Sequence, residues 1–407
     1  MTAEELRKQG NEDRESSDPE AGKGLSPTDG GGTGEVMNDS TVVSPGGDRF
    51  YYASQWELMW WRFKRHRLAV VSAALLLLLY ITAITADFVM PYDPWERFPS
   101  SQQAPPTKVH FTAPGEGLTW PYIYRVEGMR DPETFRRRYP EQTDQRYPIG
   151  LFVRAEPYKL LGLIPTDVHL FGVADGANIW LFGLDMLGRD VFSRVLYGAR
   201  VSLFIGLAGV TLTFIFGVLL GGMSGYFGGI MDFVIQRIID ILQAVPQLPL
   251  LMVLAAAVPP EWSALNTYFA MTLILSVVGW TGLARVVRGR LLSMREEDFA
   301  LAAKAAGCND SRIVLFHLLP GFMSHLIVNI TMAIPRMILS ETGLSFLGLG
   351  LYPPAVSWGV LLQDVRDLMK IAHMPWLLIP ALCVLITVLL FNFVGDGLRD
   401  AADPYTM

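Results

Sequence analysis

Charge is scarce in this sequence. Asp, Glu, Lys and Arg make up 18% of the 407 residues and hydrophobic residues 51%; average soluble domains carry about 25% charged residues. That balance excludes an ordinary soluble protein. Two cysteines exclude a disulfide-built scaffold and a cysteine-rich metal site. Cys308 and Cys383 fall in a loop and an apolar run, where no bridge is expected. The six histidines show no metal-ligand spacing. No GxxxxGK[ST] loop is present to cradle nucleotide phosphates, so ATP hydrolysis by this chain is not expected. A net charge of −6 excludes a strongly basic nucleic-acid binder.

The acidity is local. Residues 1–50 hold 5 basic and 11 acidic side chains, and the remainder balances. The first 49 residues contain nine glycines and no aromatic, too little apolar surface to offset chain entropy. The expectation for 1–50 is a disordered acidic tail. It has no apolar core behind a basic start, so it does not read as a signal peptide.

Tyr52, Trp56, Met59, Trp60 and Phe63 then recur at helical spacing, followed by Arg62, Lys64, Arg65, His66 and Arg67. This pattern predicts an interfacial helix with a basic flank, lying on a lipid bilayer. Together with the uncharged run Leu68–Ala86 it makes a unit over 51–86. The basic cluster places the N-terminus in the cytoplasm by the positive-inside rule.

Residues 87–188 differ in composition, being rich in Pro, Tyr, Trp and charge. A structureless loop of that length is improbable. The expectation is a compact extracytoplasmic α+β domain with Trp95, Phe111, Trp120, Tyr122, Tyr124, Tyr139, Phe171 and Trp180 as candidates for a small core. Five more apolar runs follow within 189–398: Val201–Met223, Ile238–Val258, Thr267–Leu283, Phe322–Leu347 and Pro375–Val394. Six spans return the C-terminal segment 399–407 to the cytoplasm. The loop carrying Arg285, Arg288, Arg290, Arg295, Lys304 and Arg312 then falls inside, as the charge rule requires. Gly217, Gly221 and Gly225 form two overlapping GxxxG spacings. They suit close helix packing with another helix or subunit, or reflect the general glycine richness of membrane helices.

The loop from 296 to 320 carries the most information. Ala300–Ala306 favours helix. Gly307 is a stop, Asn309 or Asp310 can cap a second helix, and Pro320 ends it. Ala302, Ala303, Gly307, Leu319 and Pro320 fall on the EAA pattern, so the loop resembles that of ABC-importer permeases. Leu301 stands where Glu is usual, and His317 where an aliphatic residue is usual. Leu184–Leu203, Ser340–Gly350 with Pro353, Pro354, Ser357, Trp358 and Gly359, and Gly395–Pro404 are similar to further segments of the oligopeptide and dipeptide permeases.

The resemblance implies an all-α polytopic inner-membrane protein of the type I ABC importer (MetI-like) fold with six transmembrane helices. It implies a second permease subunit, two ATP-binding subunits and an extracytoplasmic solute-binding protein as partners. No cofactor is implied. The coupling element would be 296–320, with Leu301, Ala302, Ala303, Gly307, Asp310, Leu319 and Pro320 at or near the ATPase. Di- and oligopeptides are the implied cargo; oligosaccharides, opines and nickel chelates remain alternatives within the family. A secondary transporter is a remoter reading, and a serine hydrolase at Ser345 lacks the GxSxG turn.

Polar residues on membrane helices are costly in lipid and face a cavity or partner. His325, Asn329, Met332 and Arg336 lie within roughly 40° of one another at 100° per residue. They form a candidate translocation face, or else a buried network or subunit interface. Glu341 lies on another face, with a neighbour as its expected partner. Arg237 and Asp240 read as a structural pair.

Overall fold

The computed structural model describes residues 55–402 except 114–116, 131, 134–136 and 174–176. The acidic tail expected over 1–50, the start of the interfacial helix at 51–54 and the segment 403–407 lie outside the described residues.

Helix α1 spans Gln55–Arg65. Trp56 and Trp60 stay exposed, with Lys64 Nζ 5.0 Å from the Trp60 ring centroid, while Phe63 is buried. A single residue separates α1 from α2, Arg67–Ile84. That residue is His66, whose Nδ1 accepts from the Ala69 backbone N–H at 3.1 Å and so caps α2. A short α3, Ala86–Val89, follows.

The segment between α2 and α4 is built on strands. They are β1 His110–Ala113, β2 Gly117–Val126, β3 Met129–Arg130, β4 Arg137–Arg138, β5 Glu141–Leu160 and β6 Ile164–Val173. Four of them form an antiparallel sheet in the order β1-β2-β5-β6, while β3 and β4 pair separately. Among the aromatics expected to make a core here, Tyr122 and Trp180 are buried, but Trp95, Phe111 and Trp120 are exposed. Trp95 lies outside the strands, and Trp120, although two residues from the buried Tyr122 and so on the same face of β2, sits toward the exposed start of that strand. A single sheet leaves one face uncovered. Trp180 instead joins Ala104 and Leu184 in a small cluster with Tyr92, Phe98 and Tyr139.

The strand region is anchored to the helices by backbone acceptors. His169 Nδ1 meets the Met90 carbonyl at 2.5 Å and Nε2 the Glu156 carbonyl at 3.1 Å. The turn before α4 is organised by Asp185, whose carboxylate accepts from the Leu187 and Arg189 amides and from Arg189 Nε. Gly188 in that turn has φ +76°, and a Cβ there would lie 2.5 Å from the Phe98 carbonyl oxygen, so only glycine fits.

Helix α4, Val191–Phe227, opens on Asp190, whose Oδ2 accepts from the Ser193 N–H and hydroxyl at 2.8 and 2.7 Å. Its 37 residues measure about 55 Å, far longer than a bilayer core of about 30 Å. Helices α5 Gly229–Ala244 and α6 Gln247–Ala256 follow at a 92° bend. The third span expected over 238–258 thus falls on a helix pair broken at 245–246. Pro246 offers no N–H to continue the ladder, and Val245 before it is held extended at φ −95°, ψ 133°. Helices α7 Ala264–Met294, α8 Asp298–Ala305, α9 Met323–Phe346, α10 Trp358–Leu361, α11 Leu368–His373 and α12 Ile379–Ala402 complete the described chain. Among the described residues, five helical segments are individually long and apolar enough to cross a membrane, or six if the bent α5–α6 pair is one span.

The glycine spacing on α4 meets α7 of the same chain. A Cβ on Gly217 would lie 2.7 Å from Leu283 Cδ2, one on Gly221 2.5 Å from the Ala284 carbonyl, and one on Gly225 2.8 Å from the Arg288 carbonyl. Backbone lies on backbone, so the pair depends on hydrogen at these positions. Helix α12 returns to the start of the chain: Phe63, Ala69 and Ala401 share one buried cluster, and Leu76 and Ala83 join Val384 and Phe391 in the main core.

Candidate functional site

The segment after α7 is a compact two-armed projection. Helix α8 ends in a Schellman arrangement: the Gly307 N–H donates to the Lys304 carbonyl at 3.0 Å and the Cys308 N–H to the Ala303 carbonyl at 3.1 Å. Gly307 has φ +81°, and a Cβ there would meet open space, so its glycine serves the backbone and not a tight contact. The second arm is a turn at Asp310–Arg312, a π-helical stretch Ile313–Leu318 and a turn Leu319–Gly321 containing Pro320. Asn309 precedes it without a side-chain capping bond, and the Asp310 carboxylate is engaged elsewhere. The Tyr226 hydroxyl donates to Asp310 Oδ1 at 2.7 Å, and Arg295 reaches the Gly225 and Tyr226 carbonyls at 3.4 Å. The projection is thus tied to the end of α4.

Burial separates its two faces. Ala300, Ala303, Ile313 and Leu318 pack inward against Val287, Leu291, Phe322 and Leu326. Ala303 is 9% exposed and packs the projection onto its own helices. Leu301 and Ala302 lie on the outer face, as does Pro320, while Leu319 is half-buried. The sequence reading missed Phe299, Leu315 and Phe316, which are 41%, 50% and 72% exposed. An apolar cluster on a short charged loop was the available signal.

His325, Asn329 and Met332 on α9 line one cavity of about 990 Å³. Its other walls come from α1 (Leu58, Met59, Arg62), the end of α7 (Arg290) and the end of α12 (Asp396, Arg399). The sequence had not associated these three helix ends, which only tertiary packing brings together. Arg336 is not in the cavity wall. It lies one turn further along α9, exposed, with Nε donating to the Met332 carbonyl at 3.1 Å. Met332 packs against Gly395 of α12.

Glu341 on α9 is fully buried. Its carboxylate accepts from the Ser345 and Ser357 hydroxyls, both at 2.9 Å, and from Ser202 at 3.3 Å. These bonds join α4, α9 and the residue capping α10, a structural hub and not part of the polar stripe. Arg237 and Asp240 approach to 4.0 Å, and Asp240 pairs more closely with Arg285 at 2.7 Å.

At the opposite end of the helices, a second cavity of about 500 Å³ lies between the chain after α3 and the β5–β6 hairpin. Glu96 and Glu156 line it among Tyr92, Trp95 and Tyr158. Burial, with the nearby charges of Glu156, Asp93 and Asp190, pushes the Glu96 carboxyl up to about 7. Burial likewise pushes Asp190 up to about 6, against the Ser193 donors that favour its charged form. Among the described residues no group of three or more His, Cys, Asp or Glu side chains is arranged to hold a metal ion.

Comparison with known proteins places these features in a family. Residues 217–406 match the family described as binding-protein-dependent transport system inner membrane component, and 54–106 match the N-terminal transmembrane domain of oligopeptide transport permease C. The dipeptide transport system permease protein DppC of Bacillus subtilis is 40% identical over 256 residues, covering 63% of this chain and 76% of the relative. The oligopeptide transport system permease protein OppC of the same organism is 40% identical over 224 residues, covering 55% and 71%. Among solved structures, an inward-facing MetNI methionine ABC transporter chain aligns with 18% identity and a TM-score of 0.38, covering 52% of this chain and 97% of its own.

Proposed function

The chain belongs to the binding-protein-dependent inner-membrane permease family, and we propose that it is the transmembrane permease subunit of an ATP-driven importer of di- and oligopeptides. The observation that carries the peptide assignment is the 40% identity to a dipeptide permease across three quarters of that relative. The chain contributes half of the translocation pathway in a six-span fold of the type I importer kind, with both termini cytoplasmic. A second permease supplies the other half, two ATP-binding subunits supply hydrolysis, and a solute-binding protein delivers cargo from outside.

The α8–Pro320 projection is the coupling element. Its outer face, Phe299, Leu301, Ala302, Leu315 and Phe316, sits in a cleft of the ATP-binding subunit, and its inner face is fastened to α7 and α9 by the buried cluster around Leu291 and Ile313. Gly307 and Asp310 shape the turn between the arms. When the ATP-binding subunits close, the projection moves as one body, and the Asp310–Tyr226 bond and the Arg295 contacts carry that displacement to α4. ATP binding thereby shifts the population between inward- and outward-facing arrangements. The cavity at His325, Asn329 and Met332 is the inner vestibule of the pathway. The strand region over 110–173 is an extracytoplasmic dock for the solute-binding protein.

Isolation of the tagged chain from its own cells in mild detergent tests the assembly. Co-purification of a second permease with two ATP-binding chains is the expected result. A chain recovered alone and active would overturn it.

A further inference from the structure

The stripe on α9 carries one guanidinium near the middle of a helix long and apolar enough to cross a membrane. Arg336 lies 13 residues from the start of α9 and 10 from its end, so about 15–20 Å of helix separates it from either end. It is exposed, forms no ion pair among the described residues, and its Nε bond to the Met332 carbonyl leaves the rest of the fork unused. A charge at this depth is costly against lipid and stays where it meets water or an opposite charge. The vestibule reaches Met332, one turn away. On the other side of Arg336 the same face continues with Ser340 and Gly343; the Ser340 hydroxyl bonds its own helix, and a Cβ on Gly343 would meet nothing within 4 Å. An open face therefore runs along α9 past Arg336 in both directions.

The vestibule itself holds Arg62, Arg290 and Arg399 beside Glu297 and Asp396. Arg290 and Arg399 make no ion pair among the described residues. A planar guanidinium matches a carboxylate with two parallel N–H···O bonds, which an ammonium or a neutral donor does not reproduce.

From this placement we infer that Arg336 is a specificity-determining residue that receives the free carboxylate of the translocated substrate at the membrane midplane, with the vestibule arginines taking it up next. The inference rests on the peptide-importer reading and narrows it: cargo ending in a carboxylate is favoured over cargo without one, such as an oligosaccharide or a peptide amide.

The test uses the complete importer in proteoliposomes supplied with ATP, radiolabelled trialanine and trialanine amide. Comparing the acid-to-amide uptake ratio of the wild type with that of Arg336→Gln, using the same binding protein, cancels the binding protein's own preference. The expected result is a wild-type preference for the acid that falls on the order of tenfold in Arg336→Gln and is only partly recovered in Arg336→Lys, which keeps the charge and loses the bidentate fork. Uptake with an unchanged ratio in Arg336→Gln overturns the carboxylate assignment alone. Loss of the second permease from the Arg336→Gln complex, with Arg336→Lys still assembled, also overturns it by assigning the residue to an ion pair between subunits. Uptake of neither peptide by the assembled wild type removes the peptide-import reading, and this inference with it.

Discussion

Tyr226 and Asp310 are 84 residues apart in sequence and share one hydrogen bond of 2.7 Å. It joins the last turn of α4 to the bend of the α8–Pro320 projection. Removing the phenolic hydroxyl in Tyr226→Phe keeps the ring and loses the bond. The expected outcome is an assembled complex whose uptake per ATP hydrolysed falls severalfold. Parallel measurement of ATPase rate and peptide uptake in proteoliposomes checks this; an unchanged ratio would mean the displacement travels only through the buried cluster.

The projection's two faces predict opposite phenotypes. Ala303→Asp forces a carboxylate against Leu291 and Ile313, a burial without partners that costs at least about 3 kcal/mol. It is expected to lower thermal stability of the isolated chain in detergent. Leu301→Asp and Phe316→Asp add charge where solvent already reaches. They are expected to leave the melting temperature within a degree or two and to abolish co-purification of the ATP-binding subunits.

The α4–α7 seam offers a paired comparison. Gly221→Val places methyl groups into the Ala284 backbone and is expected to cost about 1–3 kcal/mol. At the neighbouring Gly222 a Cβ would meet only Leu291 Cδ1, at 3.8 Å, so Gly222→Ala is expected to be neutral or slightly stabilising. Thermal unfolding of the two variants in one detergent decides it; equal losses would show that the seam relaxes.

Glu96 predicts a pH dependence with a definite sign. Its carboxyl rises from 4.5 in the unfolded chain to about 7 in the fold, so the folded state binds the extra proton between those values. Stability is expected to fall as pH rises from about 4.5 to 7 and to level off above. Glu96→Gln removes this slope and is expected to raise the melting temperature at pH 8 while changing it little at pH 4. A pH series of melting curves for the two proteins provides the check.

The spans were legible because long uncharged runs have few other uses in a chain. The run over 238–258 shows the boundary of that method. Its apolar composition is continuous across Val245 and Pro246, and the bend is a backbone property that composition does not register. The loop from 296 to 320 was legible as a spacing of Ala302, Ala303 and Gly307. Its phase was not: which alanine faces inward depends on where Leu291 and Phe322 lie, and those belong to other helices. The α9 stripe followed from helical period alone, whereas Arg290 and Arg399 entered the same cavity only through packing of α7 and α12. The exposed Phe111 and Trp120 illustrate the converse, since aromatic content in strands does not say which face a second layer covers.

The packing of α2 on α12 has a consequence for biosynthesis. Ala69 and Gly397 meet so closely that a Cβ on the glycine would lie 2.3 Å from that of the alanine. The first span to leave the ribosome therefore finds its main neighbour only when the last one has been made. During translation its inner face must be sheltered by lipid, by the insertion machinery or by provisional contacts with α4. Closing the bundle is then a late, long-range step, of the kind that slows folding and lengthens exposure to misassembly. A chain truncated before α12 is accordingly expected to insert with normal topology and yet be cleared by the cell's proteases, which a pulse-chase of the truncated and full chains would measure.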